Sequence, residues 1–134
     1  MRRFPAGTRT SQDAANAIGV EVARIVKSLV FVAADATVVV LCSGASRVDE
    51  SRLAALVGSA TRRATADEAK SATGYAIGGV PPFAHASACR VVCDRGLLAF
   101  DVVWAACGLP DSVFSISPAD LVRLSAATVS DIAG

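Results

Sequence analysis

The residues best suited to chemistry lie in one glycine- and proline-rich segment, which runs from Gly74 to His85. It holds three glycines, two prolines and the only histidine of the chain. Glycine lets a backbone approach a ligand closely, whereas proline fixes φ at about −65°. Successive N–H groups in such a stiff loop can bind a phosphate, a carboxylate or a developing oxyanion. An ordinary structural turn explains the same composition and is the alternative.

Lys27 is the second candidate, because it interrupts an apolar run from Arg24 to Val32. An ammonium group without a partner is costly inside a buried strand. The side chain therefore either reaches water at the end of the strand or points into a cleft where an anion meets it. The sequence leaves both alternatives open.

Three further polar residues are weaker candidates. Asp94 and Asp101 flank a predicted hairpin and are candidates to face a site, but turn formation and solvent exposure explain them more readily, because aspartate is common in turns. His85 follows a turn, where a single histidine is more often packed or hydrogen-bonded than catalytic.

Overall composition restricts the class of protein. The 134 residues suit one domain, spanning 1–134. A formal net charge of +1 gives no strong field to attract nucleic acid, so such a partner would have to be held locally. No apolar run reaches the ~18 residues of a membrane span, and no apolar segment follows Met1–Pro5. We therefore expect a cytoplasmic protein without a membrane partner.

Cysteine spacing and the common catalytic motifs argue against metal and covalent chemistry. Cysteines at 42, 89, 93 and 107 form no Cys-x-x-Cys pair, and one histidine cannot complete a zinc site. We expect no metal, no cofactor and reduced thiols in the core. Nucleophile-elbow, Walker and dinucleotide-binding motifs are also absent from the sequence, which disfavours hydrolases with a covalent nucleophile.

The elements that would position these residues form a mixed pattern. Capping signals at Thr10, Asp49, Thr65 and Ser117 predict four short helices, the first three ending at Gly19, Gly58 and Gly74. Apolar and β-branched runs predict strands at 24–32, 37–42, 61–64, 88–94, 97–103, 113–116 and 129–132, with hairpins joining the first two and joining 88–94 to 97–103. The predicted fold class is α+β, a mixed sheet wrapped by short helices.

Four segments in this order resemble the YbaK/prolyl-tRNA synthetase-associated domain family. They are Ile25–Phe31, Gly78–Phe83 with His85, Val103–Gly108, and Ser117–Leu121. The resemblance covers nearly the whole chain. It implies a barrel-like mixed sheet surrounded by helices, and hydrolysis of the ester that joins a wrong amino acid to its tRNA.

The resemblance also implies roles for particular residues. Lys27 matches the lysine of the family, and Gly78 with Pro82 matches its Gly-x-x-x-Pro loop. The catalytic residues implied are Lys27, Gly78 and Gly79, and the substrate-binding residues implied are Val80, Pro81, Pro82, His85, Asp94 and Gly108. The implied partner is the acceptor end of an aminoacylated tRNA, together with an aminoacyl-tRNA synthetase.

Two departures from the family pattern concern the same site. Ala84 stands where many relatives have glycine, and the chain has less sequence before Arg9–Thr10 than most free-standing relatives. Two other functions stay open: a non-catalytic module that binds a tRNA end or a protein, and a hydrolase of small esters.

The first prediction concerns Gly78, whose missing Cβ allows close approach of a ligand. Replacement by valine adds a branched side chain there, so Gly78→Val should lose ester hydrolysis. Turnover of an aminoacylated tRNA by the purified, folded variant is the measurement. Full activity would contradict the oxyanion-binding role of this loop.

Overall fold

A long antiparallel hairpin forms the centre of the fold. Strand β2 covers Val26–Ala33 and strand β3 covers Ala36–Ser43, paired without interruption from Val26 opposite Ser43 to Ala33 opposite Ala36. β-branched and other apolar residues dominate both strands, as the hairpin prediction required. The first strand begins later than predicted, because Val22–Arg24 form a short 3₁₀ helix.

This computed structural model describes residues 2–3, 11–34, 36–76, 80–83, 85, 89–106 and 112–133. The helices are α1 (Ser11–Ile18), α2 (Glu50–Val57), α3 (Ala66–Thr73) and α4 (Pro118–Ser125). The remaining strands are β1 (Arg2–Arg3), β4 (Thr61–Arg63), β5 (Arg90–Asp94), β6 (Val103–Ala106), β7 (Ser112–Ile116) and β8 (Thr128–Ser130).

The strands form two sheets. The larger has the order β4-β2-β3-β5-β8, and its pairs β3-β5 and β5-β8 are parallel while the others are antiparallel. The smaller is antiparallel, with the order β1-β7-β6. An isolated bridge between Ile25 and Trp104 connects β6 to the start of β2. The mixed α+β prediction is confirmed, but the described strands do not close into a barrel.

The predicted hairpin between 88–94 and 97–103 is wrong. β5 is a parallel neighbour of β3, and the chain then turns through a 3₁₀ helix at Arg95–Ala99 before β6 joins the other sheet. The Asp94 carboxylate caps this 3₁₀ helix by accepting a hydrogen bond from the Gly96 N–H. Leu97 of this 3₁₀ helix is fully buried, so the helix packs against the core. Asp94 and Asp101 therefore do not flank a hairpin.

Both faces of the larger sheet are buried. On one face, Phe31, Val40 and Val92 pack against Leu53 from α2. On the other face, a second cluster contains residues of both sheets and α4: Val26, Val39, Leu41, Val91, Cys93, Leu97, Val103, Ala105 and Leu121.

The predicted helix ends are confirmed where the structure describes them. Asp49 accepts hydrogen bonds from the Ser51 and Arg52 N–H groups, and Thr65 forms a reciprocal capping box with Glu68. Ser117 caps α4 by accepting a hydrogen bond from the Asp120 N–H. Helices α2 and α3 end at glycines with positive φ, +82° at Gly58 and +84° at Gly74. Thr10, the predicted cap of α1, lies outside the described residues.

A buried carboxylate holds the C-terminal segment against β5, which gives a stability prediction. Asp94 is 4% exposed, and one oxygen accepts hydrogen bonds from the Ile132 and Ala133 N–H groups while the other accepts from Gly96. Asp94→Ala leaves these buried donors unpaired and should lower the free energy of unfolding by about 3 kcal/mol.

Urea denaturation measures this effect, with Asp94→Asn as the matched control. Asparagine keeps one acceptor oxygen and should cost less than alanine. Equal stability of the alanine variant and the unaltered protein would contradict the role of Asp94 in the fold.

Candidate active site

Strand β2 directs its two central polar residues to opposite faces of the larger sheet. Side chains alternate along a strand, and Leu29 and Phe31 pack on the face that α2 covers. Lys27 shares that face. Ser28 points to the other face, together with Val26 and Val30.

Lys27 is half-buried and its ammonium group has a neutral partner. Its Nζ donates a hydrogen bond of 2.5 Å to the main-chain oxygen of Ser46. None of the carboxylates that the structure describes forms an ion pair with it. The carbonyl orients the ammonium group without neutralising it, so its charge remains available to an anion.

Lys27, Cys42 and Asp94 lie side by side on one face of the sheet, on the neighbouring strands β2, β3 and β5. Cys42 is the cross-strand neighbour of Lys27, and Asp94 follows Cys93, the residue that pairs with Leu41. Burial raises the pKa of the Cys42 thiol, an effect that the charge of Lys27 opposes and the charge of Asp94 reinforces. Since both Asp94 oxygens already bind main-chain N–H groups, we propose that Asp94 supports the fold rather than binding substrate.

The described part of the glycine-proline loop is packed at both ends. Val80, Pro81 and Pro82 are buried, and Val80 lies in one apolar cluster with Val30 of β2 and Ala69 of α3. At the other end, the Phe83 ring meets the Phe114 ring of β7 edge-on, with centroids 6.0 Å apart. The loop therefore spans the gap between the two sheets.

His85 stabilises the loop from within. Its Nε2 lies 2.7 Å from the main-chain oxygen of Pro81. A carbonyl oxygen only accepts hydrogen bonds, so Nε2 carries the proton in this contact. Of the other loop residues predicted from the sequence, Gly78, Gly79 and Ala84 lie outside the described residues. The same holds for Gly108.

The outer edge of β2 is covered on both sides of Lys27 and Ser28. β4 pairs with residues 31–33, the Ala64 N–H donates to the Val30 carbonyl, and β6 bridges to Ile25. Between these contacts, no strand of the described chain pairs with the outer edge of residues 27–29.

Comparison with known proteins identifies the family. The sequence profile described as the aminoacyl-tRNA editing domain matches residues 5–124. The chain belongs to the aminoacyl-tRNA editing domain family. Its function is accordingly aminoacyl-tRNA editing, with an aminoacylated tRNA as the molecule bound, which confirms the resemblance seen in the sequence.

Three relatives each align with more than nine tenths of this chain, two of them in structure and one in sequence. A crystal structure of a putative trans-editing enzyme for prolyl tRNA synthetase is 43% identical, with a TM-score of 0.96, over 99% of this chain and 85% of that one. The structure of hypothetical protein APE2540 is 33% identical, with a TM-score of 0.92, over 99% and 89%. The uncharacterized protein YwhH of Bacillus subtilis strain 168 is 32% identical over 126 residues, which are 93% of this chain and 80% of that protein.

The described residues contain neither a membrane-spanning helix nor a cluster of metal ligands. None of the described helices is long and apolar enough to cross a membrane. No group of three or more histidine, cysteine, aspartate or glutamate side chains within the described ranges could hold a metal ion.

Sequence analysis missed Ser28 as a candidate. The hydroxyl oxygen of Ser28 is buried and has no hydrogen-bond partner. A signal was present in the sequence, because Lys27-Ser28 is the one pair of adjacent polar residues within the predicted strand. Alternation along the strand places such a pair on two faces, but it does not reveal which face meets the loop.

An ion pair fixes the helix that leads into the loop, and it gives the third prediction. Arg62 of β4 donates two hydrogen bonds of 2.7 Å to the Glu68 carboxylate of α3. These bonds, with the Thr65 N–H as a second cause, lower the pKa of Glu68 to about 2. The ion pair is therefore complete above the ordinary pKa of glutamate and is lost only as the pH falls through about 2.

Arg62→Gln should raise the pKa of Glu68 toward its ordinary value, measured by NMR titration of the side-chain carboxyl. Arg63→Gln is the matched control, because the Arg63 guanidinium stacks over the Phe31 ring instead. A low Glu68 pKa that persists in Arg62→Gln would contradict this assignment.

Proposed function

We propose that this editing domain is a trans-editing aminoacyl-tRNA deacylase, which hydrolyses the ester of a mischarged proline tRNA carrying a small amino acid. The observation that carries the proposal is the Lys27 ammonium group of β2, which donates to a neutral carbonyl oxygen and forms no ion pair with a described carboxylate. A scaffold that only binds a protein has no need of an unneutralised lysine in that strand. A tRNA end supplies the anion that this lysine lacks.

The chemistry requires little from the protein. An aminoacyl ester is already activated, so its hydrolysis depends on positioning, on donors to the tetrahedral oxyanion and on an oriented water. Lys27 holds the terminal phosphate or ribose of the tRNA. N–H groups of the loop that contains Gly78 and Gly79 stabilise the oxyanion, and the 2′-hydroxyl of the substrate assists the attacking water.

Two of the four cysteines are unsuited to act as the nucleophile. Cys42 and Cys93 are fully buried. Burial is the largest cause of the raised pKa of both, and it brings the pKa of Cys93 to about 12. A thiol must lose its proton to act as a nucleophile, so these two remain inert near neutral pH.

The loop contacts suit a rigid oxyanion site. Preorganised donors are effective because they need no reorganisation when charge develops. Val80 and Phe83 anchor the loop to the two sheets, and the His85–Pro81 hydrogen bond braces it internally. In this proposal Val80, Pro81 and Pro82 form the wall against which the aminoacyl group lies.

The substrate is proposed from the relatives. One relative is described as a putative trans-editing enzyme for prolyl tRNA synthetase. Alanine, cysteine and serine are the candidate amino acids, on proline tRNA. An aminoacyl-tRNA synthetase is the proposed protein partner, because a synthetase releases the mischarged tRNA on which the deacylase would act.

Lys27→Ala tests the proposal. Loss of the ammonium group should lower deacylation of mischarged proline tRNA at least tenfold, which corresponds to about 1.4 kcal/mol in the barrier. The measurement is a time course with purified protein and proline tRNA carrying alanine, cysteine or serine. Lys70→Ala is the matched control, because it removes an exposed lysine of α3 and should leave the rate unchanged.

Each contrary outcome has a clear meaning. Unaltered turnover by folded Lys27→Ala would remove this residue from the mechanism. Binding of tRNA without release of any amino acid by the unaltered protein would instead indicate a non-catalytic binding module. Hydrolysis of small esters without a tRNA body would indicate a general esterase.

A further inference from the structure

The turn that follows β3 carries the carbonyl oxygen that Lys27 binds. It begins at Ser43, whose main-chain oxygen accepts a hydrogen bond of 3.0 Å from the Ser46 N–H. The Ser46 carbonyl, at the end of this turn, accepts the hydrogen bond from the Lys27 ammonium group. The direction of the ammonium group therefore depends on the conformation of the turn.

The hydroxyl group of Ser43 holds this turn from within. Ser43 is 6% exposed, and its hydroxyl donates a hydrogen bond of 2.8 Å to the Ala23 carbonyl while accepting one of 3.2 Å from the Ala45 N–H. Both directions are fixed, because a carbonyl oxygen only accepts and an N–H only donates. Serine stabilises turns by bonding to the main chain two residues later. This one hydroxyl thus joins the turn to the 3₁₀ helix that precedes β2.

A main-chain hydrogen bond makes a second connection to the start of β2. The Gly44 N–H donates to the Ile25 carbonyl at 2.7 Å. Since this bond needs no side chain, it should persist when Ser43 is replaced. Loss of the Ser43 hydroxyl is therefore expected to displace the Ser46 carbonyl without unfolding the hairpin.

Ser43 reaches Lys27 only through the turn. Ser43 pairs with Val26, and the next pair along the ladder is Lys27 with Cys42. Because side chains alternate along a strand, the side chains of Ser43 and Lys27 point to opposite faces of the sheet. Ser43 therefore does not contribute to the surface on which the ammonium group would meet a substrate.

We propose that Ser43 is a positioning residue, whose hydroxyl holds the turn that presents the Ser46 carbonyl to Lys27 and thereby directs the ammonium group. This inference rests on the proposed deacylase function, in which that group holds the end of the tRNA. A displaced ammonium group keeps its charge but loses its alignment, and catalysis is sensitive to displacements of about 1 Å. Loss of the Ser43 hydroxyl should therefore slow deacylation through Lys27.

The first test observes the lysine side chain without any substrate. The chain has two lysines, Lys27 and Lys70, so their signals are easily distinguished. NMR relaxation of the lysine ε-carbons measures how well each side chain is ordered. Half-buried Lys27 should be more ordered than exposed Lys70 in the unaltered protein. Ser43→Ala should lower the order of Lys27 toward that of Lys70 and leave Lys70 unchanged.

The second test is a double-mutant cycle on deacylation of mischarged proline tRNA. Ser43→Ala should lower kcat/KM about fivefold, the effect of one typical hydrogen bond. In the Lys27→Ala background the same substitution should lower kcat/KM by less than about twofold, because the turn then has no ammonium group to direct. A purely structural defect would instead reduce both rates by the same factor.

Two further variants separate positioning from a general effect on folding. Ser43→Thr retains the hydroxyl and should restore both the order of Lys27 and the rate. Ser125→Ala is the matched control, because Ser125 is a similarly buried serine whose hydroxyl donates to the Leu121 carbonyl within α4. It should change neither quantity. Circular dichroism and thermal unfolding establish that each variant is folded.

The outcomes separate this inference from the proposed function. Unchanged order of Lys27 in folded Ser43→Ala overturns the inference, and so does an equal loss of rate with and without the Lys27 side chain. Neither result affects the deacylase activity of the unaltered protein. If the unaltered protein releases no amino acid from any mischarged tRNA, the proposed function itself fails, and the order of Lys27 alone then decides whether Ser43 directs it.

Discussion

The pairing of β2 with β3 is the constraint on which the rest of the structure depends. Its register fixes which residues of β2 face α2 and which face the loop. A slip of one residue would exchange the two sets, so that Lys27 and Phe31 would each point to the opposite face of the sheet. Apolar clusters on both faces of the sheet oppose such a slip, so the positions of Lys27 and Ser28 follow from packing along the whole hairpin.

The loop depends on the same hairpin, although it is distant in sequence. Val80 packs with Val30 of β2, and Phe83 contacts Phe114 in the smaller sheet. α3 is fixed to β4 by the Arg62–Glu68 pair, so the start of the loop is set by a strand that itself pairs with β2. The described part of the loop is therefore held by contacts with elements of both sheets.

The sequence predicted the features that depend on local chemistry. Asp49, Thr65 and Ser117 cap helices by accepting hydrogen bonds from N–H groups two or three residues later in the chain. Both partners of such a bond lie in one short segment, so the cap can be recognised from the sequence. Features that depend on distant residues were not predictable in this way. The Asp94 carboxylate binds the N–H of Ile132, which is 38 residues later, and this contact replaces the local hairpin that the apolar pattern suggested.

Electrostatics explain how a chain with a net charge of +1 can present a site for a tRNA end. Several described cations are neutralised by carboxylates, as Arg24 is by Asp101 and Arg62 is by Glu68. Lys27 instead donates to a carbonyl oxygen, which fixes the direction of its ammonium group and leaves its charge intact. A carboxylate in place of the carbonyl would bind lysine more strongly but would repel a phosphate. Attraction of an anionic substrate therefore requires an unneutralised charge at one place in the fold, not a basic protein.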